Sequence, residues 1–430
     1  MARRHWLVAG TFLLAMLLYV DRVCISAAKD AITADLSLSD TQFGWVLSAF
    51  ALGYALLQTP AGALADRRGP RLVLTGVVAF WSFFTGMTAL ARGFASLLAY
   101  RFLFGAGEAG AFPGCARAFH SWLPVGERGL AQGVTFSGSR LGAAFALPMV
   151  AAMVVHLGWR ASFLVLSGIG FAWAGGWWLW FRDDPAEDPG VSDEERALIL
   201  RGRELPGGDA TGTLPLRRML ASRNVWLAMG QYFCSNFTFF FCLTWLFPHL
   251  RATYRLEPVE AGLFAAAPLL AGAVGNWTGG GLVDAIYRRG SWGASRRWPA
   301  MIGFALAAAG LVGSARAESA LAAVTFLSVA IFGADMTLPP SWSLCIDIGR
   351  RHAGKVSGTM NMAGNLGSFV TGLAFPYLRQ WTGSTTPFFL VGAGLNVLAI
   401  LAWAVTRPEV AVDASGQAPA VTTCPVAADS

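Results

Sequence analysis

Charge is scarce in this chain: Asp, Glu, Lys and Arg supply only 13% of its 430 residues, while 55% are hydrophobic. That is roughly half the charged share of an ordinary soluble domain, so water is not its main solvent. Paired cysteines are missing too. The six, Cys24, Cys115, Cys234, Cys242, Cys345 and Cys424, are scattered, with no Cys-x-x-Cys spacing and no histidine cluster nearby, which speaks against disulfides and against a metal site. The chain lacks a Gly-x-Ser-x-Gly elbow, a His-Glu-x-x-His zinc helix and a Walker loop, so neither an enzyme nor a cofactor is expected. Its formal net charge is +7. The arginines nevertheless sit in short turns between apolar runs rather than in a basic stripe, and no nucleic-acid partner is expected.

What is present is a series of apolar runs of ~20 residues, the length that spans a hydrocarbon core. Helices are expected at 6–28, 42–65, 72–91, 95–119, 128–154 and 160–181, then at 225–249, 258–283, 298–316, 319–346, 353–380 and 384–406. Equally long runs recur after the first, and no small-residue cleavage site follows it, so the first run stays as a helix rather than leaving as a signal peptide. Twelve spans put both termini and every even-numbered loop on one side. That side carries 18 Lys and Arg flanking the helices, Arg128 and Arg296 among them, besides three more within the polar stretch at 182–224, against 7 in the opposite loops, so by the positive-inside rule both termini are expected to be cytoplasmic.

The expected fold is all-α, with twelve transmembrane helices in two six-helix bundles, residues 1–181 and 225–407. A polar stretch at 182–224 joins them as a cytoplasmic linker. Within it Ser192-Asp193-Glu194-Glu195 has the capping-box pattern, Ser192 and Glu195 each covering an amide at the start of a short helix. The tail at 408–430 has no apolar period and is expected to be disordered. An internal repeat relates the halves. GALADRRGPR at 62–71 follows the second helix and GGLVDAIYRR at 280–289 follows the eighth, aligning Gly62 and Asp66 with Gly280 and Asp284.

GALADRRGPR matches the Gly-x-x-x-Asp-Arg-x-Gly-x-Arg loop signature of the major facilitator superfamily at every defined position. Gly62, Asp66, Arg67, Gly69 and Arg71, with Asp284 in the second copy, are therefore candidate gating residues. Tyr19-Val20-Asp21-Arg22, RFLFGAGEAGAFPG at 101–114, SGSRLGAA at 137–144 and NMAGNLGS at 361–368 together resemble the anion:cation symporter family, which includes bacterial hexuronate, galactonate and glucarate carriers and is similar to sialin and the vesicular glutamate transporters. The resemblance covers about 6–406. It implies a monomeric, proton-driven importer of a small organic anion, above all a sugar acid, in the bilayer of a bacterial inner membrane. In that resemblance Asp21 and Glu108 carry protons and Arg22 contacts the anion, while Tyr54 and Asn365 hydrogen-bond a polyol acid.

The residues point the same way unaided. A charge at the centre of a membrane helix costs ~2.5–3.5 kcal/mol even on the lenient insertion scale, so Asp21, Arg22, Arg101, Glu108, Arg140 and Asp335 should face the interior or a wet cavity. Arg101 and Glu108 lie two turns apart on one face of the fourth helix, as a joint site or as a structural ion pair. Gly105 and Gly107 keep that face narrow. Asp21 and Arg22 point about 100° apart and should serve separate partners. Arginine forks suit carboxylates, which makes Arg22, Arg101 and Arg140 substrate candidates, with Ser139 beside the last. Arg140 either takes a second carboxylate or pairs with Asp335. Trp342, after Pro339-Pro340, walls the cavity or fills a kink, and Asn361 shares a helix face with Asn365. Phe237, Phe239, Phe240 and Phe241 read as an apolar cavity wall or as lipid-facing residues. The rival functions are an exporter on the same fold, an uncoupled or exchanging carrier of organic anions including aromatic carboxylates, and a transporter-like sensor.

Overall fold

The computed structural model describes residues 2–203, 214–256 and 258–412. The first half of the chain forms α1 (Arg3–Ala27), α2 (Lys29–Asp35), α3 (Asp40–Arg68), α4 (Pro70–Thr88), α5 (Phe94–Glu108), α6 (Ala111–Trp122), α7 (Arg128–Leu157) and α8 (Trp159–Trp180). Two short helices follow, α9 (Asp193–Arg203) and α10 (Leu216–Ala221). The second half forms α11 (Arg223–Thr244), α12 (Leu246–Tyr254), α13 (Pro258–Arg288), α14 (Trp292–Ala315), α15 (Ala320–Met336), α16 (Leu338–Gly349), α17 (Ala353–Thr382) and α18 (Thr386–Val405). Among the described residues, seven stretches are long and apolar enough to cross a membrane by length and composition alone.

These helices follow the twelve expected segments, but the fourth, seventh and tenth are each broken in two. The fourth stops at Ala109–Gly110 and resumes as α6, where Pro113 lacks the amide that a continuous helix would donate to the Ala109 carbonyl. The tenth breaks at Thr337, and Pro339 and Pro340 occupy the first turn of α16, where missing amides cost nothing. A proline pair therefore stops one helix and starts the next.

Two compact units emerge, and they do not follow the sequence halves. Unit 1 comprises Met1–Trp122, Gly138–Ile199 and Arg351–Thr359; unit 2 comprises Leu123–Ser137, Leu200–Arg350 and Met360–Ser430. Each thus takes in one short segment of the other half. Within unit 1, α3 packs so closely on α5 that a Cβ on Gly105 would collide with the Phe50 carbonyl oxygen. Gly107 instead admits α4, at the backbone of Trp81. The two glycines narrow two different faces of α5, not the single face expected.

The phenylalanine run in α11 is neither a cavity wall nor a lipid face in the main. Phe237, Phe239 and Phe241 are buried in the core of unit 2 with Phe375, Phe388 and Phe389. Phe237 stacks on Phe388 at 5.2 Å between ring centroids, and Phe241 lies 5.1 Å from Phe375.

The linker differs in one bond from its expected capping box. Ser192 accepts from the Glu195 amide at 3.2 Å, but the Glu195 carboxylate turns away and accepts from the Arg3 and Arg4 amides at 3.1 and 3.0 Å and from the Arg4 guanidinium at 3.2 Å. It caps α1 rather than its own helix, because the first amides of α1 have no partners within their helix. Burial alone would raise the Glu195 carboxyl, but these hydrogen bonds outweigh burial and hold it below the usual glutamate range. Order also extends past the expected start of the tail. The Val412 amide donates to the Ile348 carbonyl at 2.9 Å, and Asn224 donates to the Arg407 carbonyl at 2.6 Å. Residues 413–430, with Cys424, lie outside the described residues; the other five cysteines are free and buried.

Candidate functional site

Unit 1 gathers five of the predicted site residues into one buried cluster. From α1, Asp21 and Arg22 diverge as their 100° offset requires. Arg22 Nε donates to Glu108 Oε2 at 2.7 Å, so the partner of Glu108 is Arg22 and not Arg101. Asp21 is fully buried, and its Oδ2 accepts the indole N–H of Trp81 at 3.1 Å. Aromatic rings surround the arginines: the Arg22 guanidinium lies 4.4 Å from the Tyr54 ring centroid, 5.1 Å from Tyr19 and 5.2 Å from Phe50. Arg101 sits 4.3 Å from Phe104 and 5.4 Å from Phe50. Desolvated cation–π contacts of this kind contribute up to ~2 kcal/mol each, which helps to hold two guanidinium groups away from water.

The cluster is incompletely satisfied. Asp21 Oδ1, Glu108 Oε1, Arg22 Nη2, Arg101 Nε and Ser139 Oγ are buried without a hydrogen-bond partner among the described residues. Orphaned polar atoms of buried charged groups cost several kcal/mol when nothing compensates, and four of these five belong to the charged cluster that α1 and α5 build together, which marks a site rather than a core. Arg140, on α7, reaches the same region through Tyr19, donating Nη1 to the phenol oxygen at 3.4 Å.

Unit 2 holds the remaining candidates. Trp342 is fully buried, and its indole N–H donates to the Tyr232 hydroxyl at 2.9 Å while its ring packs 5.2 Å from Phe136. Asn365 donates to the Asn361 carbonyl at 2.8 Å, one turn back on α17. Asp335 is buried at the end of α15, against Gly272.

The gating candidates resolve into two matched helix caps. On α3, Asp66 accepts from the Gly354 and Lys355 amides at 2.9 and 2.8 Å, the first turn of α17. On α13, Asp284 accepts from the Gly129 and Leu130 amides at 3.0 and 2.8 Å, the first turn of α7. Carboxylates at helix N-termini meet both free amides and the positive end of the dipole. Gly62 meets the Gly354 carbonyl with no room for a Cβ, so the glycine of the motif permits the cap that its aspartate makes. Arg71 is not a bridge of this kind. Its amide donates to Asp183 at 2.7 Å and its guanidinium to the Trp178 carbonyl at 2.6 Å, over the Trp178 ring at 4.4 Å. Gly69, at φ 81°, closes this corner against Asp183, while Arg67 is exposed at the end of α3.

Sequence reasoning missed Trp81, Phe50 and Tyr232, and gave no role to Tyr19 although it opens a motif, since an aromatic residue in a membrane helix carries no mark of what it touches. It also counted Arg128 and Arg296 among the arginines of the cytoplasmic-side loops. Both are buried and share Asp347, at 2.9 Å each, with Trp292 donating to the same carboxylate at 3.1 Å.

Long helices broken at prolines, with ionisable groups buried between them, define a polytopic membrane carrier. The chain belongs to the Major Facilitator Superfamily, whose profile matches residues 11–372, and it is an integral membrane transporter rather than an enzyme. It is 36% identical over 412 residues to a probable sulfoacetate transporter of Cupriavidus necator, covering 95% of each chain. It is 31% identical to the hexuronate transporter of Bacillus subtilis, covering 91% of this chain and 92% of that one. The fold resembles that of the proton:xylose symporter XylE, with a TM-score of 0.72 at 15% identity over 94% of this chain and 96% of the other.

Proposed function

We propose that this protein imports a small organic acid by proton symport, with Arg22 as the principal anion ligand and Asp21 and Glu108 as the proton carriers. The observation that carries this reading is the 2.7 Å bond from Arg22 to Glu108 inside a buried cluster in which Asp21 Oδ1, Arg22 Nη2, Arg101 Nε and Glu108 Oε1 lack hydrogen-bond partners among the described residues. While Glu108 is ionised it occupies the guanidinium. Protonation of Glu108 weakens that bond and frees Arg22 for a substrate carboxylate or sulfonate, so proton and anion bind together. Release of the proton restores the ion pair and expels the anion.

Tyr54 and Ser139 offer hydroxyls to the substrate, with Arg101 and Arg140 adding positive potential. Asp66 and Asp284 hold the cytoplasmic side through their helix caps, and both termini face the cytoplasm of a bacterial inner membrane. The substrate class follows the named relatives, a hexuronate carrier and a probable sulfoacetate carrier, both of which act on hydrophilic organic anions.

The test is uptake into proteoliposomes of glucuronate, galactonate, glucarate, sulfoacetate and phthalate, with an inward proton gradient and with it collapsed. Accumulation of one acid only with the gradient supports symport. Equal exchange in both conditions leaves an anion carrier without coupling, and no uptake of any acid removes the reading.

A further inference from the structure

Trp81 lies on α4, outside every motif of the sequence, yet its indole N–H meets a carboxylate in the middle of the buried cluster. Both partners are fully buried. The bond, 3.1 Å from Nε1 to Asp21 Oδ2, leaves the two carboxylate oxygens unequal: Oδ2 is held, while Oδ1 is buried with no hydrogen-bond partner among the described residues. An indole is a donor only. It cannot accept a proton from the acid, so it stabilises whichever oxygen bears charge and leaves the other to take the proton. The approach of α4 is close at this point, because a Cβ on Gly107 of α5 would lie 3.1 Å from the Trp81 amide nitrogen and 2.7 Å from the Phe80 ring.

The groups around Asp21 come from three elements. Arg22 and the Cys24 thiol belong to α1, the latter donating to the Asp21 carbonyl at 3.0 Å; Arg101 and Glu108 belong to α5 and interact with Asp21 electrostatically. α4 supplies only the neutral indole. Of all these groups, Trp81 alone makes a direct hydrogen bond to the Asp21 carboxylate among the described residues.

We infer that Trp81 is a positioning residue for proton coupling: its indole N–H pins Asp21 Oδ2 and directs the transported proton to Oδ1. This inference rests on the proton-symport reading above. A hydrogen bond to an ionised group favours the ionised form, so losing this one makes the acid hold its proton to higher pH.

The experiment is the external-pH profile of gradient-driven uptake in proteoliposomes of full-length protein, using the acid that the panel identifies. In Trp81→Phe the midpoint is expected to move upward by about one pH unit, the shift that loss of one charge-assisted hydrogen bond produces. Counterflow exchange at saturating substrate should remain within about twofold of the unmodified protein, a change too small to reflect lost binding. Trp81→Tyr, which offers a hydroxyl donor, should return the midpoint toward its original place. If Trp81→Phe fails to reach the membrane, Trp81→Met and Trp81→Tyr give the same contrast of no donor against donor.

Uptake in the unmodified protein that ignores the proton gradient overturns the symport reading and this inference with it. Gradient-driven uptake whose midpoint is unmoved in the donor-less variants overturns the role of Trp81 alone, leaving the indole as packing.

Discussion

At Glu108 the substitution that separates coupling from binding is to Gln. The amide keeps the shape, and it still accepts from Arg22, but it cannot exchange a proton. Glu108→Gln is expected to retain counterflow exchange while losing gradient-driven accumulation by tenfold or more, a loss of at least ~1.4 kcal/mol of coupling free energy. Normal accumulation in that variant would make the Arg22 pair structural. Arg22→Lys tests the other partner. A lysine presents a point charge instead of a planar fork and loses the ring stacking on Tyr54, so KM should rise at least tenfold with little change in expression. Asp21, Arg22 and Glu108 were legible because a charge inside an apolar run is conspicuous. The pairing was not, because spacing along one helix favours Arg101 and Glu108 as neighbours, whereas the actual bond joins α1 to α5. Which arginine a carboxylate selects depends on how helices far apart in sequence pack, and no periodicity records that.

The helix caps make predictions of a different kind. Asp66 and Asp284 each hold the first turn of a helix from the other half of the sequence, and removing an N-cap carboxylate costs ~1 kcal/mol. Asp66→Ala and Asp284→Ala should each lower the thermal midpoint in detergent. The double variant should show the sum of both losses, since the caps belong to different compact units and share no partner. A double loss far from additive would mean that the caps report one coupled closure. The repeat of Gly and Asp at equivalent places was readable in the sequence; that each aspartate caps a helix was not, because the amides it meets carry no sequence signature. Glu195 shows the same blindness in reverse, since its capping-box spacing is real but its carboxylate serves α1. Its depressed proton affinity fixes the direction of a pH effect. The contribution is present above the usual glutamate value of ~4.3 and is lost as pH falls through the lower folded value. Amide protection of residues 3–8, corrected for intrinsic exchange, should therefore hold from pH 7 down to the usual glutamate value and fall only at more acid pH. In Glu195→Gln it should be weakened already at pH 7, and unchanged protection in that variant would show that the α1 terminus is held by packing alone.

For the molecule as a whole, orientation rests on counting spans, and the structure sharpens how they are counted. α5 with α6, α11 with α12, and α15 with α16 are pairs of helices, and treating each member as a separate crossing would give an odd total and put the termini on opposite sides. Length argues against that: α6, α12 and α16 have 12, 9 and 12 residues, about 14–18 Å at 1.5 Å per residue, too short for a ~30 Å core. Each pair therefore counts as one kinked span, and twelve was readable from hydropathy because a break of one or two residues does not interrupt an apolar run. The arginine distribution supports cytoplasmic termini independently, although its weight must exclude Arg128 and Arg296, which are buried on Asp347 and anchor no lipid headgroup. Removing both leaves 16 cationic residues against 7, so the bias survives. Green fluorescent protein fused after residue 412 or inserted at 204–213 should fluoresce, whereas alkaline phosphatase at the same places should be inactive and should become active when inserted between α1 and α3. Phosphatase activity at residue 412 together with fluorescence of an N-terminal fusion would require an odd number of crossings, and one of the three kinked pairs would then have to be read as two spans.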